Sequence, residues 1–169
     1  VLDIKKLSNN ETRSMHGQIP IVWDRAEDFL VFDRHGNIFI DFSSTIFVAN
    51  AGHSNPYIIK SIKDMLDKPL LHTYTYASEI RMKYIDYLLK HSPANFEKVY
   101  LTSAGTESTE AALKIMRLNS INKNKRRPGI ICIEGNWHGR TMGAQLMSSN
   151  KEQKSWIGFS DPNIFFLPF

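Results

Sequence analysis

Between Ile19 and Val48 the apolar residues fall in short runs separated by turn formers: Pro20-Ile21-Val22-Trp23, then Phe29-Leu30-Val31-Phe32, then Ile38-Phe39-Ile40-Asp41-Phe42. Runs of this length, rich in β-branched and aromatic residues, predict strands. Asp33-Arg34-His35-Gly36-Asn37 joins the second run to the third and offers a glycine for a left-handed position, so the segment reads as a small antiparallel meander. From Asn55 the period changes. Asn55-Pro56 places an N-cap residue before a proline suited to the first helical position, and Ile58, Ile59, Ile62, Met65 and Leu66 then recur at helical spacing. Ser78 to Lys90 repeats the pattern with Ile80, Tyr84, Ile85, Leu88 and Leu89 on one face, and Pro93 closes it.

Further on the chain alternates. Lys98 to Thr102 is apolar and β-branched, Glu107 to Leu118 has helical spacing, and Gly129 to Glu134 is a near-continuous apolar run. Strand, helix and strand with short links predict parallel pairing through a right-handed crossover, and Asn163 to Leu167 predicts one more strand. The fold class is α/β: an antiparallel meander followed by the start of a mainly parallel sheet. Internal repeats are absent.

Composition narrows the function. With 169 residues and 42% hydrophobic content, the chain can bury a core of ordinary domain size. Its 21 basic and 17 acidic residues leave a net charge of +4, too small to argue for nucleic acid. The densest basic stretch, Lys123-Asn124-Lys125-Arg126-Arg127-Pro128, has no interleaved aromatics and reads as a solvated loop. Val1 to Asn10 lacks the apolar core of a signal peptide, and no window is apolar enough for a membrane span. Cys132 is the single cysteine, set among isoleucines as a buried thiol. These features fit a soluble cytoplasmic protein with no membrane partner. The chain stops within the apolar run Ile164 to Phe169, which suggests a truncation.

Two loops carry candidate chemistry. Leu101-Thr102-Ser103-Ala104-Gly105-Thr106 turns from an apolar run directly into a helix. A helix start has unpaired N–H groups and about half a positive charge, so it can hold a phosphate, with Gly105 allowing close approach and Ser103 and Thr106 adding hydroxyls. A plain helix cap would explain the same letters. Glu107 and Glu110 would compete with a dianion there unless they point away. The second loop, Glu134-Gly135-Asn136-Trp137-His138-Gly139-Arg140-Thr141, follows the next strand. Ligands gather beyond the carboxyl ends of parallel strands, so both loops should face one crevice. There Trp137 could stack on a planar ring, His138 would bring an imidazole, and Arg140 could pair with a carboxylate. Separately, Trp137 reads as a core or interface residue and Arg140 as a surface ion pair. Neither common nucleotide-binding glycine motif occurs, which disfavours a nucleotide-binding module.

Taken together these letters resemble a known family. Thr102-Ser103-Ala104-Gly105-Thr106-Glu107-Ser108-Thr109-Glu110-Ala111-Ala112-Leu113-Lys114 is similar to the Ser-Gly-Thr-Glu-Ala-x-Glu-x-Ala-x-Lys segment of class III aminotransferases. Trp137 to Thr141 is similar to their aromatic-His-Gly-Arg-Thr segment, and Asp33 to Phe42 and Asn50 to Pro56 agree with two earlier stretches in the family's order. The resemblance runs from about Ile19 onward and covers less than half of a family member. It implies an amino-terminal portion of fold type I, with residues 1–54 beginning a small domain and residues 55–169 beginning the large cofactor-binding domain. It also implies pyridoxal 5'-phosphate as cofactor, a homodimer with sites at the subunit interface, and amino transfer from a small-molecule donor to a keto acid. Carried over residue by residue, Ser103, Gly105, Thr106, Trp137 and His138 would bind the cofactor, and Arg140 a substrate carboxylate.

The sequence also departs from the family. Ala104 stands where serine is usual, Trp137 where phenylalanine or tyrosine is more common, and Thr45 where glycine often precedes Ile46. The family's Schiff-base lysine, in Ser/Thr-x-Lys followed by glycines, does not occur, nor does its Asp-Glu-x-Gln stretch. Lys114, Lys151 and Lys154 stand in other contexts. The resemblance therefore places the lysine beyond Phe169 and makes this fragment inactive alone. A catalytically inactive relative, or a split-chain subunit acting as an assembly partner, is the alternative.

Overall fold

The computed structural model describes residues 19, 21–123 and 129–169. The amino-terminal stretch Val1 to Asn10, Pro20 of the first apolar run and residues 124–128 of the basic stretch lie outside the described residues. The chain divides into two compact units after Ser78.

In the first unit, β1 (Trp23–Glu27), β2 (Leu30–Asp33) and β3 (Ile38–Ile40) form an antiparallel sheet in the order β1-β2-β3, the expected meander. Its first strand lies later than the apolar pattern predicts. The two-residue link at Asp28 and Phe29 fixes the pairs Ala26↔Val31 and Glu27↔Leu30, so the polar stretch Trp23–Glu27 supplies the ladder in place of the apolar run before it. An edge strand tolerates that polarity, and the Arg25 guanidinium lies 3.5 Å over the Phe32 ring. The β2–β3 turn follows expectation: Gly36 has φ 84°, and the Asp33 carboxylate accepts from the His35 and Asn37 amides at 2.8 and 2.9 Å.

Beyond β3, Ser44, Thr45, Ile46 and Phe47 all have positive φ, between 46° and 68°. A left-handed turn of non-glycine residues costs roughly 1–2 kcal/mol per residue because Cβ crowds the following carbonyl. Thr45, at φ 51°, therefore sits in a conformation that favours glycine. The next helix starts as expected. Asn55 caps α1 (Pro56–Leu66), its side-chain oxygen accepting from the Tyr57 and Ile58 amides at 3.0 and 3.3 Å.

One half-buried pair closes this unit. Asp41 Oδ2 lies 2.8 Å from His53 Nε2, with the two side chains only 5% and 13% exposed. The other Asp41 oxygen accepts from the Ser43 hydroxyl and amide at 2.6 and 2.9 Å. The pair ties the end of the Asp33–Phe42 motif to the Asn50–Pro56 motif, and mutual hydrogen bonds between Asp28 and His53 reinforce the junction.

In the second unit, α2 (Glu79–Lys90) and α3 (Gly105–Asn122) precede β4 (Ile130–Ile133), α4 (Met142–Met147), a single 3-10 turn (Ser155–Ile157) and β5 (Ile164–Leu167). β4 and β5 pair in parallel, Ile130↔Ile164 through Ile133↔Leu167. Leu113 of α3, Ile130 and Cys132 of β4 and Met147 of α4 form the core, with Ile164 and Phe166 packed against it. Alternation along the strands turns Ile131, Ile133, Phe165 and Leu167 to the opposite face, where they are exposed. The expected strand Lys98–Thr102 is not formed. A strand exists only through a partner's N–H and C=O groups, and this segment has no ladder among the described residues. The parallel pair is instead connected through α4, an element the apolar spacing did not reveal.

The Asp41 cluster predicts a pH response. Hydrogen bonds from the Ser43 hydroxyl, then His53, lower the Asp41 carboxyl from its ordinary 3.8 to about 2. The folded form thus favours the carboxylate, and the stabilisation is complete above the unfolded value and lost as pH falls through the folded one. Urea unfolding followed from pH 5 downward should show an added loss between about pH 4 and pH 2. An Asp41→Asn variant should lack that added loss.

Candidate functional site

The site is built on the start of α3. Ala104 is extended, at φ −152° and ψ 160°, and provides no side-chain cap, since its methyl group cannot accept a hydrogen bond. The first-turn N–H groups therefore have no partner from the capping residue. A Cβ added to Gly105 would meet nothing within 4 Å, so the approach to these groups is open. The nearby carboxylates are engaged elsewhere. Glu107 turns back to accept from the Ser103 amide at 2.8 Å. Glu110 accepts from the Ala144 amide at 3.0 Å and from the Thr141 hydroxyl, and so caps the start of α4.

The loop after β4 lies directly on this helix start. Gly139, at φ 127°, packs so closely that an added Cβ would fall 2.2 Å from Thr106 Oγ1 and 2.8 Å from Thr106 Cβ. One turn along α3, the Thr109 hydroxyl donates to the His138 carbonyl at 2.7 Å. Gly143, at the start of α4, also packs closely: a Cβ there would meet the Glu110 carboxylate at 2.3 Å and Leu113 at 2.7 Å, both ends of side chains that can turn aside. The Gly139–Thr106 contact thus joins the two candidate loops, and the Thr109–His138 hydrogen bond holds the second loop on α3.

Polar ties hold the loop from its other side. The Asn136 side chain accepts from the Ser149 amide at 2.8 Å and donates to the Met147 carbonyl at 3.0 Å and to His138 Nε2 at 3.1 Å. Ser148, only 2% exposed, accepts from the His138 amide at 3.1 Å and donates to the Ala144 carbonyl at 3.0 Å. The Gly135 amide donates to the Ser149 hydroxyl at 2.9 Å. Trp137 is left 50% exposed, and the Arg140 guanidinium lies 5.8 Å from its ring centroid.

Of the residues singled out in the sequence, Thr106 and His138 are half-buried within the joint, whereas Ser103, Gly105, Trp137 and Arg140 are exposed at its edge. Sequence reasoning missed Thr109, Asn136, Ser148 and Ser149 and the capping role of Glu110. Their signal is faint: polar residues flanking the loop and the α4 segment, each of which alone reads as a turn former. Lys154 donates to the Ser148 carbonyl at 2.7 Å and lies 4.5 Å over Phe166, while burial pushes its ammonium group below the usual range. It is a brace for the end of α4. A separate groove of about 1080 Å³ runs along α3 between Tyr100 and Leu118 and is mainly apolar. It shares Ser103, Glu107 and Glu110 with the site, but its lining does not include Trp137, His138 or Arg140.

Comparison with known proteins gives this geometry a context. The sequence matches the class III aminotransferase family over residues 12–169. It is 34% identical to the acetylornithine aminotransferase of Clostridium acetobutylicum over 154 residues, covering 89% of this chain and 39% of that protein. It is 33% identical to the ornithine aminotransferase of Bacillus cereus over 170 aligned positions, covering 99% of this chain and 42% of that protein. The fold is similar to the ornithine aminotransferase of Toxoplasma gondii at a TM-score of 0.85 and 20% identity, over 98% of this chain and 39% of that one. It is equally similar, at a TM-score of 0.85 and 25% identity, to a taurine:2-oxoglutarate aminotransferase of Bifidobacterium kashiwanohense solved with pyridoxal phosphate and glutamate, over 99% of this chain and 38% of that one. The chain thus spans about two-fifths of the length of these relatives. The antiparallel meander and the helix-covered parallel pair are the amino-terminal part of fold type I, and this chain belongs to the pyridoxal-phosphate-dependent class III aminotransferases.

Proposed function

We propose that the protein is a transaminase and that this chain supplies the phosphate-binding and ring-stacking parts of its cofactor site. One observation carries the reading: the Thr106–Gly139 contact, which sets an uncapped helix start beside the loop bearing Trp137. The residues fit pyridoxal phosphate. The open approach at Gly105 leaves room for an anion, the α3 amides and the Ser103 and Thr106 hydroxyls offer it donors, and the half-exposed indole offers a flat surface to a heterocycle. When bound, the cofactor supplies an electron sink for the carbon that gains or loses the amino group. The chain's own residues orient and retain it: Thr106 and the helix start fix the anionic end, Trp137 covers the ring, and His138 borders it from the Asn136 tie. Arg140, for which the described residues provide no ion pair, is free to receive a substrate carboxylate.

In the same reading, residues 1–54 begin the small domain and residues 55–169 the large one. The lysine that attaches the cofactor belongs to another part of the protein, and the working unit is a cytoplasmic homodimer. No helix among the described residues is long and apolar enough to cross a membrane. The donor is a small amine and the acceptor a keto acid. Relatives named for ornithine, acetylornithine, diaminobutyrate and 2-oxoglutarate define the first panel to assay.

The decisive experiment is reconstitution of the full-length protein with pyridoxal phosphate, followed by assay of that panel for amino transfer. Failure to retain the cofactor would sink the proposal. Gly139→Ala should weaken cofactor retention at least about tenfold, equivalent to ~1.4 kcal/mol, because its methyl group must displace Thr106. Equilibrium binding by cofactor absorbance checks this. Trp137→Ala should cost about 1 kcal/mol of cofactor affinity, roughly fivefold, in the same titration. Arg140→Lys should raise KM for the carboxylate substrate roughly tenfold while leaving kcat nearly unchanged, since an ammonium group cannot form the paired fork. Steady-state kinetics with an unaltered KM would remove Arg140 from the site.

A further inference from the structure

We infer that Asn136 is a positioning residue that fixes the tautomer of His138, so that the imidazole carries its proton on Nδ1 and presents Nε2 only as an acceptor. The orientation of the Asn136 amide is set by backbone groups whose roles cannot change. Its oxygen accepts from the Ser149 N–H at 2.8 Å, and its nitrogen donates to the Met147 C=O at 3.0 Å. Rotating the amide by half a turn would oppose two donors at Ser149 and two acceptors at Met147, losing both bonds. The second N–H of the same amide group faces His138 Nε2 at 3.1 Å. That nitrogen must therefore offer its lone pair, and in a neutral imidazole the proton then resides on Nδ1.

The surroundings enforce the arrangement. The His138 amide is bonded to the Ser148 hydroxyl and its carbonyl to the Thr109 hydroxyl, so the backbone that aims the ring is held on both sides. Gly139 follows immediately and packs on Thr106. The consequence for function rests on the reading of this loop as part of the cofactor site. There His138 has one N–H, at Nδ1, to give to an acceptor on the bound ligand, and its edge toward Asn136 is closed. Asn136 thereby determines which side of the ring can donate without touching the ligand itself.

The test is nitrogen NMR of the full-length holoenzyme labelled with [15N]histidine, with His138→Gln identifying the signals. The expected result is a protonated Nδ1 and an unprotonated Nε2 in the wild-type protein. A protonated Nε2, or signals averaged between the two forms, would overturn the inference without any variant being needed. Asn136→Asp supplies the complementary arm. Its carboxylate keeps the acceptor for Ser149 but sets an acceptor against both Nε2 and the Met147 carbonyl, so Nε2 should become protonated. An unchanged Nδ1–H pattern in a folded Asn136→Asp protein would show that Asn136 does not set the tautomer. Measuring the wild-type ligand-free protein in parallel separates the two proposals. Loss of the cofactor reading would appear as failure to bind pyridoxal phosphate, while failure of the positioning role would appear as the wrong ring nitrogen carrying the proton in either state.

Discussion

The second unit depends on a contact made possible by a missing side chain. Gly139 lets the loop after β4 rest on Thr106, at a distance where any Cβ would overlap the threonine hydroxyl. Packed interiors do not absorb such an overlap by small adjustments, so the position either stays empty or the loop moves away. With the contact made, the start of α3 and the loop carrying Trp137 become one surface. Without it they are two ordinary turns, each explained by capping or surface chemistry. Gly143 repeats the device one element later, leaving the Glu110 carboxylate room to cap α4.

The polar ties around this joint resolve a conflict in the primary structure. Two glutamates in the first turns of a helix oppose an anion at its start. Glu107 and Glu110 instead bond the Ser103 amide and the head of α4, which leaves the first-turn amides of α3 without a competing side-chain cap. Alanine at the capping position has the same effect, at a cost of about 1 kcal/mol in helix stability relative to serine. Asn136, Ser148 and Ser149 bind the loop from the opposite side through groups that are each satisfied, so the loop is held without an apolar anchor of its own. Such a loop can leave an indole half exposed without collapsing onto it.

The first unit shows a comparable economy. Four successive residues in the left-handed region store strain between β3 and the Asn50–Pro56 segment. The Asp41–His53 pair, backed by Ser43 and by the Asp28–His53 hydrogen bonds, holds the two ends of that stretch. Strain of this kind persists only where the surroundings over-determine the backbone.

Local chemistry decided what the sequence could show unaided. Asn55-Pro56 fixes the start of α1, Gly36 fixes the β2–β3 turn, and the spacing of apolar residues sets α2 and the body of α3, because each depends on groups within a few residues. The family and both candidate loops were likewise legible, since their letters lie in continuous segments. Tertiary structure decided the rest. β1 takes polar Trp23–Glu27 because β2 provides its ladder, while Lys98–Thr102 has every strand-forming residue and no ladder among the described residues. Thr45, a departure from the family's letters in the sequence, carries a left-handed backbone in the fold. Asn136, Glu110 and Thr109 read as turn or helix residues until partners 11 to 34 positions away came within hydrogen-bonding distance. The physical reason is common to all of them: propensity is a property of neighbours in the chain, whereas a hydrogen bond or a steric limit belongs to whatever the fold brings alongside.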